Sequence, residues 1–247
     1  MAVAVSMMIR LDKYLADMGI GTRSRIKKEI RSGQVIVNGK PICRPELKIN
    51  TDQDEVLFQG EPVTYEEYEY YMLNKPAGVI SAASDRQETT VVDLIKDRKR
   101  DDLFPVGRLD KDTEGLLIIT NNGELAHRLL SPKKHVDKVY FAKVKGIVTE
   151  ADVKHFAQGL DIGDEKPTLP AELVICSSDE ISGILLTIRE GRFHQVKRMF
   201  QAVGKEVVYL KRLRMGSIAL DESLKPGEYR RLTEEEVERL CSQERKP

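Results

Sequence analysis

Four consecutive apolar residues, Leu116-Leu117-Ile118-Ile119, follow directly on a loop in which Gly107 and Gly115 bracket five charged residues. A run without polar alternation predicts a strand covered on both faces. A charged loop entering such a strand has one end fixed by the core, while the rest faces solvent or a cleft. That is a common place for a catalytic carboxylate. A solvated turn with a local Arg108–Asp110 pair would give the same pattern, so the loop by itself leaves both readings open.

Other segments supply the rest of a domain. Tyr70-Tyr71-Met72-Leu73 is strand-like and runs into Asn74-Lys75-Pro76-Ala77-Gly78, where proline and glycine two residues apart force a turn. Residues 139–144 and 184–188 also read as strands. In the first of these, alternation places Tyr140 with Ala142 and Val144, opposite Phe141. Val196, Met199, Phe200 and Val203 recur at helical spacing as a core-facing stripe, and Gly204 can stop that helix. His194, Lys197 and Gln201 fall on another face with Arg198 beside it, which is also how an ordinary amphipathic helix with a wet basic face would look. Thr149 with Asp152, and Thr233 with Glu236, have capping-box spacing ahead of two further helices.

The N-terminal block has its own architecture. Leu11, Leu15 and Met18 fit one short amphipathic helix. Ile26 and Ile30 form the apolar stripe of a second, with Arg23, Arg25, Lys27, Lys28 and Arg31 on its other faces, Thr22 as N-cap and Gly33 as stop. Val35-Ile36-Val37 then enters an Asn38-Gly39 hairpin turn. Basic side chains fixed on a helix suit contact with a nucleic-acid backbone.

At 247 residues the chain is long enough for one large domain or two smaller ones. Forty basic and forty acidic residues cancel, so no argument from net charge supports a nucleic-acid partner. The charge is nevertheless blocked. Residues 8–48 hold ten Lys/Arg against four Asp/Glu, residues 49–72 hold seven acids and no base, and residues 189–214 hold eight bases against two acids. Such blocks can steer a polyanion to two places, although each alone could be a solvated face. The acidic stretch, with Gly60 and Pro62, reads as a linker.

Three dispersed cysteines argue against a disulfide scaffold or a Cys-rich zinc site. The four histidines, His127, His135, His155 and His194, have no metal-ligand spacing. No apolar run approaches the ~20 residues of a membrane span, and the first eight residues lack a signal peptide's basic flank. A cytoplasmic protein is expected.

The motifs together carry a resemblance. Arg10-Leu11-Asp12-Lys13-Tyr14-Leu15, Thr22-Arg23-Ser24-Arg25 and Val35-Ile36-Val37-Asn38-Gly39 resemble an S4-type RNA-binding domain. Gly107-Arg108-Leu109-Asp110 with Thr113-Glu114-Gly115-Leu116-Leu117 resembles the catalytic signature of the RNA pseudouridine synthases. Asn74-Lys75-Pro76-Ala77-Gly78, Lys138-Val139-Tyr140 and Gly191-Arg192-Phe193-His194-Gln195-Val196-Lys197-Arg198-Met199 resemble three further motifs of that family, in the right order. Ser131-Pro132, the residue 194–200 helix and Pro226-Gly227-Glu228-Tyr229-Arg230 are most similar to the branch acting on small-subunit (16S) ribosomal RNA.

The resemblance implies an α+β fold: an S4-like domain with an acidic linker at 8–66, then a catalytic domain at 67–247 with a mixed, largely antiparallel sheet and flanking helices. It implies conversion of one uridine to pseudouridine on a flipped-out base. Asp110 would be the nucleophile, Lys197 its cation and Tyr140 the stacking residue, with Arg108, Lys75, His194 and Arg198 binding substrate. Arg23, Arg25, Lys27, Lys28 and Arg31 would bind RNA. The reaction breaks N1–C1′, joins C5 to C1′ and releases the C5 proton, so it requires neither cofactor nor metal. The expected partner is ribosomal RNA or an assembly intermediate, with no membrane, and the chain is expected to act as a monomer. A 23S-directed synthase and a non-catalytic S4-type assembly factor are the alternatives.

Overall fold

The computed structural model describes residues 7–131 and 134–242. Pro132 of the Ser131-Pro132 motif, and all but the last two of the eight opening residues, lie outside them. The described residues form two units: those up to 69 with 97–103, and 70–96 with those from 104 onward.

The first unit holds β1 (Met8–Arg10), α1 (Leu11–Asp17), α2 (Arg23–Arg31), β2 (Val35–Val37), β3 (Lys40–Pro41), β4 (Lys48–Asn50), β5 (Val56–Phe58) and β6 (Glu61–Pro62). Leu11, Tyr14 and Leu15 of α1 pack with Ile26 and Ile30 of α2 in one core with Val35, Ile49 and Val56. Thr22 caps α2, its hydroxyl accepting from the Arg25 amide at 3.4 Å. Asn38 and Gly39 both take positive φ (50° and 74°), the geometry of a type I′ turn joining β2 to β3.

The acidic stretch is not a linker. It supplies β5 and β6 to a four-stranded sheet of order β3-β2-β5-β6, with Val56 turned into the core while Asp52, Glu55 and Glu61 face water. Residues 97–103 also return to this unit. Glu69 accepts from the Lys99 and Arg100 amides, and the buried Arg100 guanidinium binds Asp102 and the Glu66 carbonyl.

The second unit holds β7 (Tyr70–Lys75), β8 (Phe104–Pro105), β9 (Glu114–Thr120), α3 (Gly123–Leu130), β10 (Lys138–Lys145), α4 (Glu150–Gln158), β11 (Glu172–Ser177), β12 (Ile181–Ile188), α5 (Gln195–Ala202), β13 (Glu206–Met215), β14 (Ile218–Ala219), β15 (Tyr229–Arg231) and α6 (Glu234–Ser242). A nine-stranded sheet runs β11-β12-β10-β13-β9-β7-β15, with β14 on β13 and β8 on β9. The pairing of β13 with β9 is parallel; the other ladders are antiparallel. Leu116, Leu117, Ile118 and Ile119 are fully buried, so both faces of β9 are covered, as its unbroken apolar run predicts. The expected capping box of α4 forms, with Asp152 accepting from the Thr149 amide at 2.8 Å. Among the described residues no helix is long and apolar enough to cross a membrane.

The parallel contact of β9 with β13 depends on one glycine. Gly115 has φ +100°, and a Cβ there would lie 2.2 Å from the Arg212 carbonyl oxygen. Gly115→Ala therefore meets both a disfavoured backbone conformation and a backbone clash, together about 2–5 kcal/mol. Urea unfolding should show that loss, whereas Gly123→Ala, which meets open space at the start of α3, should leave the midpoint near that of the native chain.

Candidate active site

The Asp110 loop is set by what lies beneath it. Lys75, at the end of β7, is fully buried, and its ammonium donates to the carbonyls of Thr113 (2.9 Å), Pro76 (3.0 Å) and Lys111 (3.3 Å). The Gly78 amide donates to the Lys111 carbonyl at 2.7 Å. Ser81 closes the other side: its hydroxyl donates to the Leu109 carbonyl at 2.8 Å and accepts from the Leu109 amide at 3.0 Å. The Thr113 amide returns to the Asp110 carbonyl at 3.1 Å. Burial lowers the Lys75 pKa to about 8, against the pull of Asp112, Asp110 and Glu114.

These contacts correct one expectation. Lys75 does not line the cleft; it is a buried clamp on the loop rather than a substrate ligand. Asn74 extends the clamp, donating its side-chain amide to the Leu224 carbonyl at 2.7 Å while its backbone bonds to Gly227 and Glu228. The Pro-Gly-Glu-Tyr segment is thereby packed behind the loop.

Asp110 faces a cleft of about 430 Å³, including its open mouth, walled by Tyr140, Arg108, Thr113, His194 and Lys197, with Ile188, Val196 and Leu210 as apolar lining. Tyr140 is 7% exposed on β10. Ala142 and Val144, which alternate onto the same face of β10, are both fully buried. The Thr113 hydroxyl is buried without a partner at this wall. Arg108 is exposed and has no hydrogen-bond or ion-pair partner among the described residues. Its guanidinium remains available to a ligand.

The cation comes from α5. Val196, Met199 and Phe200 are buried as the spacing predicts, and Val203 is the C-cap. This turns Lys197 toward the loop, with its ammonium 3.2 Å from Asp110 Oδ2. The same ammonium lies closer to Asp112, at 2.7 and 2.9 Å from its two oxygens. Burial lowers the pKa of Lys197, but its bonds to Asp112 and Asp110 outweigh that and raise it. The Lys197 bond in turn holds the Asp112 carboxyl below the usual carboxylate range. Asp112 was not among the expected site residues; the signal for it was its place two residues beyond Asp110 in a short loop.

His194 sits at the α5 N-cap with φ 47°. Its Nε2 is 3.5 Å from Asp110 Oδ1, and its ring stacks on Phe193 at 3.8 Å. Arg198 is placed differently from its expected role. It does not line the cleft, because its guanidinium binds the Asp164 carboxylate at 2.6 and 3.1 Å and donates to the Ile162 and Phe193 carbonyls. Arg192 and Gln195, part of the same motif but given no role from the sequence, complete the turn: Arg192 binds Glu190, Asp164 and the carbonyls of Lys166 and Pro167, and Gln195 accepts from the Arg192 amide at 3.0 Å. Both also line the cleft.

In the first unit, Arg23, Arg25, Lys28 and Arg31 are exposed along α2. Lys27 is half-buried, 3.9 Å from Asp12. Among the described residues no group of three or more His, Cys, Asp or Glu side chains is arranged to hold a metal ion.

Known proteins match this arrangement over most of the chain. Residues 69–202 match the RNA pseudouridylate synthase family, and residues 9–56 match the S4 domain. An uncharacterized RNA pseudouridine synthase of Bacillus subtilis is 49% identical over 234 residues, covering 94% of this chain and 98% of that protein. The ribosomal small subunit pseudouridine synthase A of Haemophilus influenzae is 41% identical over 94% of this chain and 99% of its own, and that of Escherichia coli 39% over 93% and 98%. A crystal structure of a pseudouridylate synthase superposes with a TM-score of 0.66 at 40% identity, covering 94% of this chain and 99% of that one.

The Lys197 geometry generates a titration test. In Lys197→Met the Asp112 carboxyl loses the donor that lowers its pKa, so its value should rise toward the ordinary ~3.9. The sign is fixed: the native carboxylate protonates at a lower pH than the variant's. Carbon-13 NMR of the Asp112 carboxyl would read it, and an Asp112 titration that does not move would show that Lys197 does not hold this carboxylate in solution.

Proposed function

The chain belongs to the RNA pseudouridine synthase family, and from that premise we propose that it converts a uridine of small-subunit ribosomal RNA to pseudouridine, with Asp110 as the nucleophile. The observation that carries the reading is the placement of Asp110 3.2 Å from the Lys197 ammonium in a cleft walled by Tyr140. The choice of small-subunit RNA is supported by the names of the Haemophilus and Escherichia relatives, at about 40% identity along nearly the whole chain.

The target base leaves its stack and enters the cleft, where the Tyr140 ring supplies a face for it. Asp110 must be ionised to act. The Lys197 ammonium, 3.2 Å away, offsets the cost of desolvating a carboxylate beneath a bound base. Attack on ribose C1′, attack on uracil C6 and stabilisation of a glycal all draw on the same negative charge. The N1–C1′ bond breaks, the freed uracil turns within the cleft, C5 bonds to C1′, and the C5 proton leaves. Arg108, without a partner among the described residues, fits a phosphate of the flipped nucleotide or the gap left in the stack. His194 closes the other side of Asp110.

The α2 face gives the first unit a separate task, holding RNA without chemistry. Reversing Arg25, Lys27 and Lys28 to Glu should weaken RNA binding and reduce the slope of log K against log salt by about 2, since each phosphate contact contributes roughly 0.7–0.9. An unchanged slope would remove these residues from the interface.

Substrate choice is tested by incubating the protein with unmodified small- and large-subunit ribosomal RNA, each with and without bound ribosomal proteins, and mapping pseudouridine by chemical labelling. New pseudouridine in the small-subunit RNA is expected. Modification confined to large-subunit RNA would overturn the substrate, and none in either would overturn the activity.

A further inference from the structure

The turn that brings His194 and Lys197 to the active site also carries a side chain the chemistry leaves unused. Phe193 is 75% exposed, more than any other large apolar residue among those described. Exposure of one apolar side chain is ordinary by itself. What sets Phe193 apart is how firmly it is held, and where.

Its backbone is fixed on both sides. The Arg198 guanidinium donates to the Phe193 carbonyl at 2.8 Å, and the preceding Arg192 amide donates to the Gln195 side chain at 3.0 Å. His194, next in the chain, takes a left-handed φ of 47°, a conformation that costs a non-glycine residue. In this turn it accompanies a face-to-face stack of the two consecutive rings, with centroids 3.8 Å apart and planes 17° from parallel. A ring held this way has little freedom left to lose when a ligand stacks on it.

The stack begins at the expected nucleophile. His194 Nε2 is 3.5 Å from Asp110 Oδ1, so Phe193 is one stacked ring removed from a side chain that touches Asp110. Its two neighbours, Arg192 and His194, line the catalytic cleft, and Phe193 stands at the rim between them. Val196, Met199 and Phe200, the apolar residues that follow in α5, are all buried. The ring is therefore isolated among polar neighbours and forms no apolar patch of the kind a protein partner covers. A single pre-placed aromatic ring beside a cleft that also holds the uncommitted Arg108 suits an unpaired RNA base, since every base has a π-face. Turning a nucleotide out of its stack strips a partner from its neighbours, which leaves such a face open.

We propose that Phe193 stacks on the base of a nucleotide adjoining the target uridine, replacing the partner which that base loses when the uridine turns into the cleft. The inference rests on the RNA reading given above, and adds a contact to a base that is not itself modified.

The test is equilibrium binding of the full-length protein to an unmodified small-subunit ribosomal RNA transcript at several salt concentrations. Phe193→Ala should weaken binding about 5- to 150-fold, the ~1–3 kcal/mol of one stacked base converted at about 1.4 kcal/mol per tenfold. Stacking releases no counterions, so the loss should be equal at every salt concentration and the slope of log K against log salt should stay native. Phe193→Leu, which keeps apolar bulk without a ring face, should lose nearly as much, whereas Phe193→Trp should bind at least as well as the native protein. The chain contains no tryptophan, so emission from that variant reports the site directly and should be quenched when RNA binds. Ile147→Ala truncates a residue 60% exposed, past the end of β10 remote from Tyr140, and should leave affinity native. Native affinity in Phe193→Ala, full affinity in Phe193→Leu, an equal loss in Ile147→Ala or an unquenched indole in the complex would each overturn the proposal. Binding is read independently of product. The predicted pattern in a protein that forms no pseudouridine would contradict the enzymatic reading and leave this contact standing; pseudouridine formation with native affinity in Phe193→Ala would do the reverse.

Discussion

The ammonium of Lys75 holds the active site in place. It is a buried cation with three backbone carbonyls as partners, two of them on the far side of the Asp110 loop. Burying an ammonium is costly unless its donors are used. That cost is offset only when the residue 110–113 turn is closed over it, so the charge and the turn specify each other. Ser81 on Leu109 and Gly78 on Lys111 add neutral bonds to the same loop, while Gly115 allows it to enter β9 against the Arg212 carbonyl. A carboxylate fixed this way already has its oxygens at the cleft, the preorganised electrostatics on which the proposed reaction would draw.

The second constraint is charge balance around Lys197. One ammonium serves two carboxylates, and its shorter bonds go to the exposed Asp112 rather than to Asp110. Asp112 thus orients the cation while leaving Asp110 in the cleft with the longer contact. The same thrift appears in the residue 190–198 turn. Arg192 and Arg198 both spend their guanidinium groups on Asp164 and nearby carbonyls, so they stiffen the turn carrying His194 and Lys197. Arg108 is left as the uncommitted cation at this cleft among the described residues.

Much of this was legible from residue types and spacing. The apolar run at 116–119, the Ile26/Ile30 stripe, the Asn38-Gly39 turn and the Thr149/Asp152 cap are local patterns, and local patterns survive folding because neighbours in sequence remain neighbours. Resemblance placed Asp110, Tyr140 and Lys197, and the three meet in one cleft. The failures were of partner choice. Nothing in a sequence tells whether Lys75 reaches substrate or the carbonyls below it, or that Arg198 meets Asp164, thirty-four residues away. The acidic segment at 49–72 misled for a related reason: its charge suggested a linker, while its few inward residues, such as Val56, made it part of a sheet. The return of residues 97–103 to the first unit depends on Arg100 and Glu69, a pairing without a local signature.

The central claim is that the Asp110 carboxylate, held by this frame, does the chemistry. Asp110→Asn is nearly isosteric and keeps an acceptor for Lys197, but it is a poor nucleophile and carries no negative charge. Release of tritium from C5 of labelled uridine in a single turnover, at saturating RNA, reports the reaction. The account predicts a fall of at least ~10⁴ for Asp110→Asn, equivalent to about 5.5 kcal/mol of barrier, and a far smaller loss for Asp112→Asn, which removes only a partner of Lys197. A near-native rate in Asp110→Asn would contradict it.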